Sequence, residues 1–111
     1  MFAVKSQGAV EVIVPNVPLK NEYVEELMET VNHCVGDGLP MLVINFHDVP
    51  LLDSAGLESL LDVRDLVESR GGAVKLAALT PLAQDIMRVS GVGRHFEVFV
   101  DEKTAVRSFV Q

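Results

Sequence analysis

Six consecutive residues, Met41–Leu42–Val43–Ile44–Asn45–Phe46, run almost without a polar break between Pro40 and the loop His47–Asp48–Val49–Pro50. A strand with one solvated face alternates apolar and polar positions, whereas a run of this kind suits a strand covered on both faces. The chain must then supply the cover, and the flanking segments change period accordingly. Val24, Leu27, Met28, Val31 and Val35 recur at three- and four-residue steps, the pattern of an amphipathic helix. After the strand, Leu57, Leu60, Leu61 and Val67 form one side of a second such helix, with Glu58, Asp62, Asp65 and Glu68 elsewhere. Strands that alternate with helices imply right-handed crossovers and a mostly parallel sheet. The fold class is α/β, a single domain over residues 1–111.

The remaining elements follow from local signals. Phe2–Gln7 and Val10–Val14 flank Gly8–Ala9, which predicts an antiparallel hairpin closed by a two-residue turn. Pro15 and Pro18 enforce an irregular link, and Asn21 is the expected N-cap of the first helix, with Glu22, Glu25 and Glu26 in its early turns. Gly36–Asp37–Gly38 ends that helix and Pro40 prevents its restart; Gly71–Gly72 ends the second. Ala73–Ala77 is the next strand, and Thr80–Pro81 opens a third helix that runs to about Ser90, where Gly91 takes the left-handed cap position. Phe96–Val100 reads as a final strand, and Asp101 caps a last helix with Ala105, Val106 and Phe109 turned inward. The expected architecture is a central sheet of about five strands with about four helices.

Composition narrows the function classes. With 111 residues and 49% apolar content, one core is sustainable and a second is not. Nine basic against 16 acidic residues leave a net charge of −7, which argues against a phosphate-tracking nucleic-acid binder. One cysteine makes no internal disulfide, and a reducing, cytoplasmic compartment is expected. Residues 1–8 lack the pattern of a signal peptide, and no stretch reaches the roughly 18 apolar residues that cross a bilayer.

In open α/β sheets, working residues gather beyond the carboxyl ends of the strands. The loop from Phe46 to Gly56 lies there and presents Asp48, Asp53 and Ser54 at the mouth of the second helix. A helix amino terminus tolerates a phosphate, because free N–H groups and the dipole both favour negative charge. On spacing alone, a plain helix cap by Asp53 or Ser54, worth about 1 kcal/mol, is the better account of the pair. Gly56 in the first turn calls for a separate reason, since glycine costs a helix roughly 1 kcal/mol against alanine. Close approach by a partner or ligand would supply that reason, and so would packing against the sheet.

The run Asp53–Ser54–Ala55–Gly56–Leu57 after the apolar strand resembles the signature of STAS domains, in particular stand-alone bacterial anti-sigma factor antagonists. Val89–Ser90–Gly91–Val92, then Phe96 and Asp101–Glu102 before Ala105, match that family's closing pattern, and the order of elements agrees over nearly the whole chain. The resemblance implies a phosphorylation switch. Ser54 holds the position that an anti-sigma factor doubling as a serine kinase phosphorylates with ATP. The unphosphorylated form binds the anti-sigma factor and frees the sigma factor, and a phosphatase of the PP2C type resets the switch. Partner contacts are then expected at Asn16, Asp48, Asp53, Ser54, Ala55, Gly56 and Leu57. With no nucleophile elbow, P-loop or second metal-ligand cluster, no enzyme activity, cofactor or metal is expected; no apolar run long enough for membrane insertion is present, and a monomer when alone is the default.

The chain departs from the family in two places. Pro15–Asn16–Val17–Pro18–Leu19 stands where relatives often have Gly-x-Leu/Ile-Asp, next to the expected partner surface. Ala55 replaces a hydroxyl residue, a form also similar to STAS subunits of lipid-transporting ABC systems, in which Ser54 would be structural. A more distant alternative is nucleotide binding at the same strand ends. His33–Cys34 has no second ligand cluster at metal spacing, and Cys34 on an apolar helix face reads as core. His47 beside Asp48, and His95, could assist catalysis, but Leu52 stands where a nucleophile elbow needs glycine, and Gly91–Val92–Gly93 lacks a third glycine. Glu22, Glu25, Glu26 and Glu29 read as a solvated helix face, with steering toward a basic partner as the alternative. Arg64 and Glu68 are spaced for a weak surface pair.

Overall fold

The chain turns first at Gly8, which takes φ +62°, the left-handed region that a two-residue hairpin turn requires. Strands β1 (Ala3–Gln7) and β2 (Val10–Val14) pair antiparallel on either side of it, with Gln7 opposite Val10. The structure, a computed structural model, describes residues 1–36 and 38–110. Helix α1 (Val24–Val35) follows a 3-10 turn over Asn21–Tyr23, then come β3 (Met41–Asn45), α2 (Ser54–Ser69) and β4 (Ala73–Ala77). Helix α3 (Pro81–Ser90), a 3-10 turn (Val92–His95), β5 (Val98–Phe99), α4 (Glu102–Arg107) and a closing 3-10 turn (Ser108–Val110) complete the chain. The expected α/β architecture is present, with β1–β2 antiparallel and every later pairing parallel.

The strand order is β1-β2-β3-β4-β5, so the chain steps across the sheet in one direction and never reverses. Right-handed crossovers then put successive helices on one face. Leu27, Val31 and Val35 of α1, Leu60, Val63 and Val67 of α2, and Ala83 and Met87 of α3 share one buried cluster with Ile13, Leu42, Ile44 and Leu76 of the sheet. Helix α4 takes the other face, where Ala105 closes over Val10, Val12, Val43 and Ala77. The β3 run is therefore buried on both sides, with Leu42, Val43 and Ile44 fully enclosed. Because the order never reverses, the sheet has no switch point at which two crossovers splay apart to form a crevice.

Two boundaries differ from expectation. Asn21 does not cap the first helix: its side chain makes no cap bond, and its backbone N–H is taken by Asp53, a residue 32 positions away. The last strand has two ladder residues rather than five, because Phe96 still closes the preceding 3-10 turn on Gly93 and Asp101 already turns to cap α4. His95 lies in that 3-10 turn. Of the Gly36–Asp37–Gly38 terminator, Gly36 is the helix C-cap and Asp37 lies outside the described residues. The other caps form as read: Thr80 accepts from Ala83, Asp101 from Thr104, and Gly91 is left-handed at φ +79°. No helix among the described residues is long and apolar enough to cross a membrane.

Candidate functional site

The carboxylate of Asp53 joins two helix beginnings. Its Oδ1 accepts the N–H of Gly56 at 2.8 Å, the N-cap bond of α2, and its Oδ2 accepts the N–H of Asn21 at 3.0 Å. The backbone between these points is tied as well. Leu19 N–H donates to the Leu51 carbonyl at 3.0 Å, and Asp53 N–H donates to the Leu19 carbonyl at 3.2 Å. The loop between β2 and α1 therefore runs beside the loop between β3 and α2, with Leu19 opposite Leu52 in a parallel bridge.

This staple explains Gly56. A Cβ on that residue would stand 1.8 Å from the Leu19 carbonyl oxygen and 2.9 Å from its carbon. The glycine is buried, and its requirement comes from the domain's own backbone. The Pro15–Leu19 segment splits in direction: Pro15 and Leu19 are buried anchors, whereas Asn16 is exposed.

Ser54 is the first residue of α2 and is exposed. Asp53 supplies the cap, so the serine hydroxyl is left free, and among the described residues nothing hydrogen-bonds it. Glu58, one turn further on the same face, is exposed as well. Ala55 and Leu57 are half-buried, and Leu57 packs against the main core. Asp48 is exposed and lies 3.0 Å from Nδ1 of His47. The staple thus ties the loop that carries Asn16 to the start of α2 with Asp53, Ser54 and Ala55, and leaves Asp48 on the β3–α2 loop paired with its neighbour.

The N–H of Gly56, then that of Asn21, hold the Asp53 carboxyl below its usual range. A depressed folded-state pKa means that the ionised form supports the fold. That support is complete above the unfolded value near 4 and is lost as pH falls through the lower folded value. Asp53→Asn should therefore melt below the native chain at pH 7, and the gap should begin to shrink below about pH 4 and close as pH falls through the lower folded value. Thermal melts at a series of pH values read this directly, and a gap that stays constant down to pH 2–3 would contradict the double cap.

The other candidates separate from this site. Cys34 is half-buried, and burial, with the Glu11 carboxylate, pushes its thiol up, away from reactive thiolate. Among the described residues no group of three or more His, Cys, Asp or Glu could hold a metal ion. On the acidic helix, Glu22, Glu25 and Glu29 are exposed, and Glu26 meets the amino terminus at 3.3 Å. Arg64 and Glu68 pair at 3.1 Å at the surface.

A family model for the STAS domain matches residues 2–105. The chain belongs to the STAS family. No curated protein sequence matches it. Among solved structures, a putative anti-sigma factor antagonist from Thermotoga maritima is similar at 18% identity and a TM-score of 0.90, covering 99% of this chain and 95% of that one. The Bacillus anti-sigma factor antagonist SpoIIAA in its unphosphorylated form is similar at 20% identity and a TM-score of 0.81, covering 98% and 96%. SpoIIAA has also been solved in a phosphorylated form. The murine Slc26a9 anion transporter contains a similar fold at 18% identity and a TM-score of 0.80, over 92% of this chain but only 18% of the transporter. At these identities the likeness establishes the STAS fold, which these relatives place both in stand-alone proteins and inside a transporter.

The contacts of Asp53 with Leu19 and Asn21 were not legible, although Leu19 belongs to the segment expected beside the partner surface and Asn21 was read as a cap. The one signal pointing to them was the cost of Gly56 in a first turn, which announces a close neighbour without identifying it.

Proposed function

We propose that this STAS domain is an anti-sigma factor antagonist regulated by phosphorylation of Ser54, binding an anti-sigma factor with serine kinase activity when unphosphorylated. The observation that carries the reading is the exposed, unengaged hydroxyl of Ser54 at the start of α2, beside a carboxylate that already performs the capping. The stand-alone antagonists to which the chain is similar over nearly its whole length support the same role.

In the proposed reaction the Ser54 oxygen takes the γ-phosphoryl group of ATP, ADP leaves and the hydroxyl proton is released. A PP2C-type phosphatase returns the hydroxyl by transferring the phosphoryl group to water. The phosphate adds about −1.5 to −2 charges next to Asp53 and one turn from Glu58. The helix dipole tolerates that charge within the domain, at about 0.3–1 kcal/mol in its favour. A partner docked flush on the loops meets bulk and repulsion instead. The chemistry is the partner's, and this chain acts as substrate and ligand rather than as enzyme, in the cytoplasm.

Intact-mass measurement after incubation with ATP and the candidate kinase tests the reading. The native chain should gain one phosphoryl group and Ser54→Ala none. No gain on the native chain would leave a constitutive interaction module, such as a subunit of a transport complex.

A further inference from the structure

Beside α3, at the β5 edge, the sheet ends in an uncovered notch. Strand β5 pairs with β4 through only Leu76↔Val98 and Ala77↔Phe99. Leu76 faces the main core, so Val98 takes the same face of the sheet, yet it is 44% exposed, and Val100, two residues on, is 82% exposed. The space between these valines and α3 is a cavity of about 780 Å³ whose lining includes Met87, only 2% exposed, and Leu79. That volume lies within the range of sites for organic small molecules.

The polar groups at this cavity reverse the sign of the whole molecule. In a chain with nine basic and 16 acidic residues, Arg88 and Arg94 both line it, and among the described residues no Asp or Glu does. Arg88 meets Asp85 at 3.2 Å, whereas Arg94 has no carboxylate partner among the described residues. A peptide adding to the sheet edge would find a strand of only two residues, too short a ladder to hold it.

We propose that this groove binds a small amphipathic carboxylate, its apolar body against Met87, Leu79 and Val98 and its carboxylate on Arg94. Such a ligand satisfies both the apolar wall and the unpaired cation, which neither a neutral hydrocarbon nor a small inorganic anion can do.

The test titrates the full chain with decanoate below its micelle concentration, following side-chain methyl resonances by NMR. Decanol supplies the tail without the charge, and acetate the charge without the tail. Decanoate should saturate the Met87 and Val98 methyl shifts, with decanol and acetate each weaker by about tenfold or more. Arg94→Gln should weaken decanoate by about tenfold and leave decanol unchanged. Arg94 is exposed, and the retained decanol response reports that the groove persists in the variant. Absence of saturation by decanoate, equal binding of decanol and decanoate, or indifference to Arg94→Gln would each overturn the proposal. Saturation of the same resonances by an acidic, apolar peptide but not by decanoate would overturn it in favour of a protein-docking surface.

Discussion

Gly56→Ala should destabilise the domain by about 3 kcal/mol or more, against the roughly 1 kcal/mol that the same change gains in an ordinary helix. The sign is decided by the Leu19 carbonyl oxygen, 1.8 Å from where the new methyl group would stand. Leu19 has nowhere to go. Its N–H is bonded to Leu51, its carbonyl accepts from Asp53, and its side chain is 1% exposed. Relief requires the two loops to part, which gives up hydrogen bonds worth about 1 kcal/mol each in addition to the strain of overpacking. In a domain of this size the melting temperature should fall by roughly 12–20 °C. Gly38→Ala is the control, since a Cβ there meets nothing within 4 Å, and it should change stability by less than about 0.5 kcal/mol. Urea unfolding of the three proteins decides the matter, and an unchanged midpoint for Gly56→Ala would show that the loops are not tied as described.

Ser54→Asp should weaken binding of the anti-sigma factor by about 100-fold or more, because a carboxylate against a docked surface costs several kcal/mol when no opposite charge receives it. Thermal stability should stay within about 1 kcal/mol of the native chain, since the helix dipole favours an acid at that position. The two readouts separate two roles for the same residue. A serine that matters structurally would lower the melting temperature on replacement, whereas a serine that matters as an acceptor would alter affinity alone. Ser54→Ala, measured by calorimetry alongside, should bind as the native chain does. If Ser54→Asp retains native affinity, the phosphorylation reading fails even though the fold is intact.

The elements legible in the sequence are those specified by neighbours in the chain. Thr80–Pro81 and Asp101 place helix starts through side-chain oxygens that reach N–H groups three residues away. The hairpin at Gly8–Ala9 and the doubly covered strand Met41–Asn45 are likewise local in origin. Asn21 shows where such reasoning stops. By composition it is a sound cap, but its segment is organised by a carboxylate 32 residues downstream, and no local pattern encodes that distance. The five-residue β5 failed for a similar reason: the 3-10 turn and the cap on either side of it consume the residues that its hydrophobicity assigned to a ladder.

The order of residues alone determined the class of the fold, the central strand and most helix ends, because periodicity, caps and turn chemistry act over a few positions; Ser54 stood out only through the family resemblance. Only the tertiary structure decided that Asp53 caps two segments at once, that Gly56 answers to Leu19, and that a cationic, apolar notch lies open beside β5. Those features depend on which loops and edges meet, and that is set by the packing of whole elements across the sheet rather than by any short stretch of chain.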